Sequence, residues 1–112
     1  MTQEEKDKLL KYLCMALLYE VRVNYGGYEG CDYKLTLTTL QDFPTEDLKP
    51  YLRPMSSMTE EEEYEYRNIC ASPILRQWDV IDWLLEYHFD FMDLIPMGAA
   101  IAVTEENNPY KD

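Results

Sequence analysis

The amino-acid sequence predicts an α+β domain, because apolar residues recur at helical spacing, then at every second position, then at helical spacing again. The expected architecture is an N-terminal helix, a β-hairpin and two further helices packed on the sheet. A stretch near the C-terminus is compatible with a third strand.

Residues 2–19 read as the first helix. Thr2 followed by Glu5 has capping-box spacing, in which each residue satisfies a free backbone amide of the first turn. Leu9, Leu13, Ala16 and Leu17 recur at helical spacing, with Leu10 beside them. Glu4, Glu5 and Asp7 precede Lys8 and Lys11, the order the helix dipole favours.

The period then changes to two. Val21, Val23 and Tyr25 alternate with Arg22 and Asn24, and Cys31, Tyr33, Leu35 and Leu37 alternate with Asp32, Lys34 and Thr36. The loop Gly26-Gly27-Tyr28-Glu29-Gly30 joins the two runs, so a β-hairpin is expected. An isolated hairpin is only marginally stable, so it should pack on a helix or gain a strand.

Between residues 40 and 52, Phe43-Pro44 and Lys49-Pro50 leave room for short helical turns at most. Thr59 and Glu62 form a second capping box, opening a helix over residues 59–70 whose stripe is Met58, Glu62, Tyr66 and Ile69. Ser72-Pro73 is either a break or the start of another helix. Ile74, Trp78, Ile81, Leu85 and His88 then mark an amphipathic helix running to about residue 89. Asp79, Asp82 and Glu86 point away from that stripe, and Trp83 and Tyr87 lie off its centre. Residues 99–103 could add a third strand to the hairpin after a turn at Pro96-Met97-Gly98. Residues 1–104 are expected to form the single domain, and residues 105–112 a loose polar tail.

Composition bounds the function. A chain of 112 residues suits one domain and can bury about two-thirds of its surface without disulfide staples. Three cysteines (Cys14, Cys31 and Cys70) without CxxC spacing suit a reducing cytoplasm, as does an acidic N-terminus with no leader-like run. Residues 1–53 hold nine acids and seven bases, whereas residues 54–112 hold thirteen acids and three bases. So acidic a half opposes direct contact with nucleic acid or an anionic membrane. It suits solubility, or a basic partner.

Three blocks carry a resemblance: Lys8-Leu9-Leu10-Lys11-Tyr12-Leu13-Cys14, the run from Leu48-Lys49-Pro50-Tyr51 through Glu62, and Trp83-Leu84-Leu85-Glu86-Tyr87-His88-Phe89-Asp90. Together they resemble a family of short uncharacterised proteins from gut-dwelling anaerobic bacteria and their phages. Members of that family carry an aromatic-Arg-Gly-Leu-Ile sequence after the His-Phe-Asp. Here Phe91-Met92-Asp93 stands where the Arg-Gly would fall, while Leu94-Ile95 and Gly98 match. The resemblance implies a bacterial or mobile-element origin and no particular chemistry.

No catalytic, cofactor or metal constellation is legible. One histidine and three scattered cysteines do not make a zinc site, and the glutamate run of residues 60–63 points its side chains in several directions. His88 falls on an apolar stripe, where a satisfied core histidine is commoner than a general base. The Gly-rich loop opens no helix and lacks the lysine of a phosphate loop.

The expected function is therefore non-enzymatic protein binding, with another protein or a second copy as partner. Tyr51, Arg53, Trp83 and Tyr87, with Tyr64, would supply an aromatic contact face, unless Arg53 pairs with an acid of the following helix. The alternative is an inhibitor that mimics nucleic-acid phosphates to block a basic protein. Glu60, Glu61, Glu62, Glu63, Glu65, Asp79, Asp82 and Glu86 would then have to share one surface.

Overall fold

The computed structural model describes residues 2–26, 28, 30–74 and 77–110, and the fold is α+β. Helix α1 spans Gln3–Met15 and continues as a single 3-10 turn, Ala16–Leu18. Its capping box forms as expected: Glu5 N–H donates to Thr2 Oγ1 at 3.1 Å, and Thr2 N–H to the Glu5 carboxylate at 2.9 Å. Leu9, Leu13 and Ala16 are buried, and Tyr12 joins them on the same face.

Strands β1 (Arg22–Tyr25) and β2 (Asp32–Lys34) form the expected antiparallel hairpin, with Val23 opposite Tyr33. Gly27 and Glu29 of its turn lie outside the described residues. The hairpin ends sooner than alternation suggested. Thr36 caps a short helix α2, Leu37–Asp42, by accepting the Thr39 N–H at 3.2 Å. A 3-10 turn at Thr45–Asp47 follows.

The expectation of helical turns alone between residues 40 and 52 is corrected by strand β3, Leu48–Leu52, which lies inside the sheet with Pro50 at its centre. The sheet order is β2-β1-β3-β4, where β4 is Ile101–Ala102. Register explains how a proline is accommodated. Gly26 N–H donates to Asp47 C=O at 2.7 Å, so counting in twos along the antiparallel ladder makes Asn24 and Lys49 a hydrogen-bonded pair. Val23 and Pro50 then form a non-hydrogen-bonded pair, where β1 asks no N–H of residue 50. On the other side β4 begins pairing only at Tyr51. Strand β4 runs parallel to β3, so the third strand suspected near the C-terminus joins β3 and not the hairpin.

Helix α3, Glu60–Ala71, carries the second capping box between Thr59 and Glu62. Ser72 is its C-terminal cap, so Ser72-Pro73 is a break, and helix α4 is Gln77–Glu86. Leu75 and Arg76, within the span of the expected helix, lie outside the described residues. The expected stripe is buried only in its C-terminal half: Leu85 joins the main core with Ile81 against it, while Trp83 and Leu84 are buried in the second cluster, so α4 is covered on more than one side. Ile74 and Trp78 are instead 87% and 65% exposed.

The main core joins Leu9 and Leu13 of α1 to Val21 and Val23, to Leu48 and Leu52 of β3, and to Leu85 and Leu94. A second cluster, between α3 and α4, is built on Trp83, Leu84 and Phe89 with Met55, Met58, Tyr66 and Ile69 against it. After β4 the chain turns back. Val103 N–H donates to Leu52 C=O at 2.8 Å, and residues 104–110 return over the sheet to end on Tyr110. The loose tail expected from residue 105 is thus anchored at least to residue 110, and Lys111 and Asp112 lie outside the described residues.

Candidate functional site

The end of α4 builds the central feature. His88 N–H donates to Leu85 C=O at 3.1 Å and Phe89 N–H to Leu84 C=O at 3.0 Å, the paired bonds that close a helix around a left-handed residue. That residue is His88, at φ 62, where a glycine would be usual. Phe89 and Leu84 share the second core cluster, supplying the hydrophobic contact that accompanies this cap. The His88 ring is thereby aimed at the C-terminal end of α1. Its Nε2 lies 2.9 Å from Tyr19 C=O. A carbonyl only accepts, so Nε2 carries the proton of the neutral ring. Burial pushes the His88 pKa below the usual 6.5.

Tyr110 stacks on this ring, with centroids 3.8 Å and planes 10° apart. Its hydroxyl accepts Arg22 N–H at 2.9 Å and donates to Tyr51 C=O at 2.8 Å. Burial raises its pKa strongly. A cleft of about 840 Å³ opens beside the pair. Arg22 and Lys34 of the hairpin, Asp82 and Glu86 of α4, and Leu18, Tyr19 and Glu20 after α1 line it. Tyr19 O–H donates to Asp82 at 2.7 Å, which raises the Tyr19 pKa. Lys34 and Glu20 lie 3.6 Å apart.

The sequence-predicted residues divide between interior and surface. Tyr51 is buried, and its hydroxyl donates to Asp32 at 2.6 Å; burial and that carboxylate push its pKa up to about 12. Trp83 is buried too, stacked 5.7 Å from Phe89 and 5.5 Å from Tyr66, with Nε1–H donating to Glu65 at 2.9 Å. Arg53 lies over the Phe89 ring at 4.3 Å and forms a two-pronged pair with Glu62, each bond 2.7 Å. The option that Arg53 pairs with an acid of the next helix is therefore the one realised. It holds the Glu62 carboxyl down at about 2. An exposed aromatic face containing Tyr51 and Trp83 does not form, because both rings complete the core. Tyr87 is half-buried and Tyr64 is 72% exposed.

The acids are carried by α3 and α4. Glu65 foremost, with Glu86 and Glu62, acts on the Tyr87 hydroxyl and raises its pKa, while Asp82 and Glu86 act on Tyr19. Glu60 and Glu61 are exposed on the first turn of α3, Glu63 pairs with Arg67 at 2.6 Å, and Asp79 is exposed on the first turn of α4.

A second concavity, about 510 Å³, lies between α1 and α4. Lys11 and Met15 line one side, Trp78, Ile81 and Leu84 the other, with Phe91 and Met92 at its end. The sequence signal for it was present in the stripe containing Trp78, but that stripe reads as core. Periodicity identifies an apolar face without saying what covers it.

Cys14, Cys31 and Cys70 are free thiols, and no group of three metal-ligating side chains is gathered among the described residues. No helix among the described residues is long and apolar enough to cross a membrane. Comparison with family models, with curated proteins and with solved structures returned no match.

Proposed function

We propose that this chain is a non-enzymatic protein-binding module that receives an apolar segment with basic flanks in the groove between α1 and α4. The observation that carries this reading is Trp78, 65% exposed at the lip of an apolar groove. A lone exposed apolar residue needs no explanation, but an indole contiguous with Met15, Leu84, Phe91 and Met92 does. Tryptophan anchors are over-represented among residues that dominate interfaces, and methionine lets a surface adapt its shape. The basic flanks are assigned to the surface beyond the groove, whose one charged lining residue among those described is Lys11, because the chain carries −12, most of it in the half that contains α4. Three free thiols suit work in a reducing compartment such as the cytoplasm.

The test is capture from host lysate with nuclease present, at low and at high salt, using the wild-type chain and Trp78→Ala. A partner retained at high salt by the wild type and lost by Trp78→Ala is the expected result. Capture that survives Trp78→Ala would overturn the groove. If that capture also vanishes at high salt, it favours the phosphate-mimicking inhibitor, for which the excess of acids in residues 54–112 is the supporting observation.

A further inference from the structure

Arg22 and Tyr51 occupy the position where the β1–β3 ladder should make its next hydrogen-bonded pair, two residues beyond Asn24 and Lys49. The described pairing stops one residue short, at Val23 and Pro50. The Tyr110 hydroxyl stands in the gap, accepting from Arg22 N–H and donating to Tyr51 C=O. Both partners are backbone groups, so the gap selects for one atom that accepts and donates at the tip of a flat ring. The face of that ring is read by His88, which is held independently of Tyr110: Nε2 meets Tyr19 C=O, and its own C=O accepts Arg53 N–H at 2.7 Å.

The segment that delivers Tyr110 is lightly attached. Beyond Val103, the hydrogen bonds of residues 104–109 among the described residues stay within the segment or reach Ala102. Its end is therefore anchored to the sheet by Tyr110. The 840 Å³ cleft opens directly on the slot, with Pro109 and Tyr110 forming part of its lining.

We infer that the slot between Arg22, Tyr51 and His88 is a binding site for a tyrosine side chain, which Tyr110 fills in cis and which a tyrosine from another chain fills by displacing it. The segment ending at Tyr110 is then an exchangeable plug. The incoming tyrosine is Tyr110 of a second copy, because the segment shown to fit the slot is the chain's own.

The test uses full-length Tyr110→Ala, which empties the slot, and a synthetic peptide copying residues 104–112 as probe, followed by amide NMR. Saturable binding is expected, with shifts centred on Arg22, Tyr51 and His88. The same peptide carrying Tyr110→Phe should bind about tenfold more weakly, because one donor and one acceptor are left unmatched. Absence of binding, equal affinity for both peptides, or shifts confined to other surfaces would overturn the inference. If Tyr110→Ala does not give a folded spectrum, full-length Tyr110→Phe replaces it. The tyrosine peptide should then bind this variant several-fold more tightly than the wild type, and equal affinity would overturn the slot. Sedimentation of the wild type over a range of concentrations tests the source. A dimer that Tyr110→Phe abolishes supports a second copy, whereas a monomer that still binds the peptide would overturn that source in favour of another protein.

Discussion

The imidazole of His88 lies flat on the phenol of Tyr110, ring centroids 3.8 Å apart, and it does so from a backbone conformation that disfavours histidine. The chain closes a second turn in the same way at Gly98, where Gly98 N–H donates to Ile95 C=O and Ala99 N–H to Leu94 C=O, each at 3.0 Å. There the left-handed residue, at φ 75, is a glycine, and a Cβ would meet nothing within 4 Å. At His88 the same geometry costs about 1–2 kcal/mol. The contacts to Tyr19 C=O and to Tyr110 offset it.

Substitution at His88 should separate these contributions. His88→Ala keeps the strained backbone and loses the ring, so it should lower stability by about 2 kcal/mol. His88→Gly loses the same contacts but relieves the strain, and should be about 1 kcal/mol more stable than His88→Ala. Urea midpoints at neutral pH measure both. Equal stabilities would mean that the left-handed conformation is not strained in this context.

His88 also predicts a pH dependence. Its pKa is lowered in the fold from 6.5, chiefly by burial, so the unfolded chain takes up its proton first as pH falls. The contribution of neutral His88 is full above pH 6.5, declines as pH drops from there to the folded value, and is level below it. The chain has one histidine, so the difference in urea midpoint between wild type and His88→Gly should change in this window. A constant difference between pH 7 and the onset of carboxylate titration would refute it.

The Arg53–Glu62 pair governs a lower window. Their side chains are 24% and 15% exposed, so the pair is shielded more than an ordinary surface bridge. With Glu62 held at about 2, its stabilisation is complete above the usual 4.5 and is lost as pH falls from 4.5 towards 2. Glu62→Gln should cost about 1–3 kcal/mol at pH 7, through the paired charged hydrogen bonds and the capping box they share. That deficit should shrink in acid. A deficit unchanged at pH 3 would locate the loss elsewhere.

How much of this was readable in the sequence depended on range. Both capping boxes were legible because Thr2–Glu5 and Thr59–Glu62 are each complete within four residues. The hairpin was legible because alternation and turn glycines are local. Strand β3 was not, because Pro50 is tolerated only through its register against Val23, a pairing across 27 residues. The parallel strand β4 depends likewise on Tyr51 meeting Ile101. The role of Tyr110 left no periodic trace, since one phenol at the end of a polar segment looks like any other. His88 was the nearest signal: a ring at the end of a helical stripe, with nothing local to show that its backbone is left-handed.

The two tryptophans, five positions apart on α4, put the groove to a sharper test. Trp83→Ala removes a ring at the centre of a buried aromatic cluster and should cost about 3–5 kcal/mol, with loss of the folded near-ultraviolet signal. Trp78→Ala removes a ring that is 65% exposed and should change stability by less than about 1 kcal/mol. Fluorescence reads the difference directly, because Trp78→Phe and Trp83→Phe each leave a single emitter. Acrylamide should quench Trp78 efficiently and Trp83 poorly. Addition of a partner that enters the groove should protect Trp78 alone. If Trp78 is already protected in the wild type and becomes accessible only on dilution, the groove is filled by a second copy of the chain.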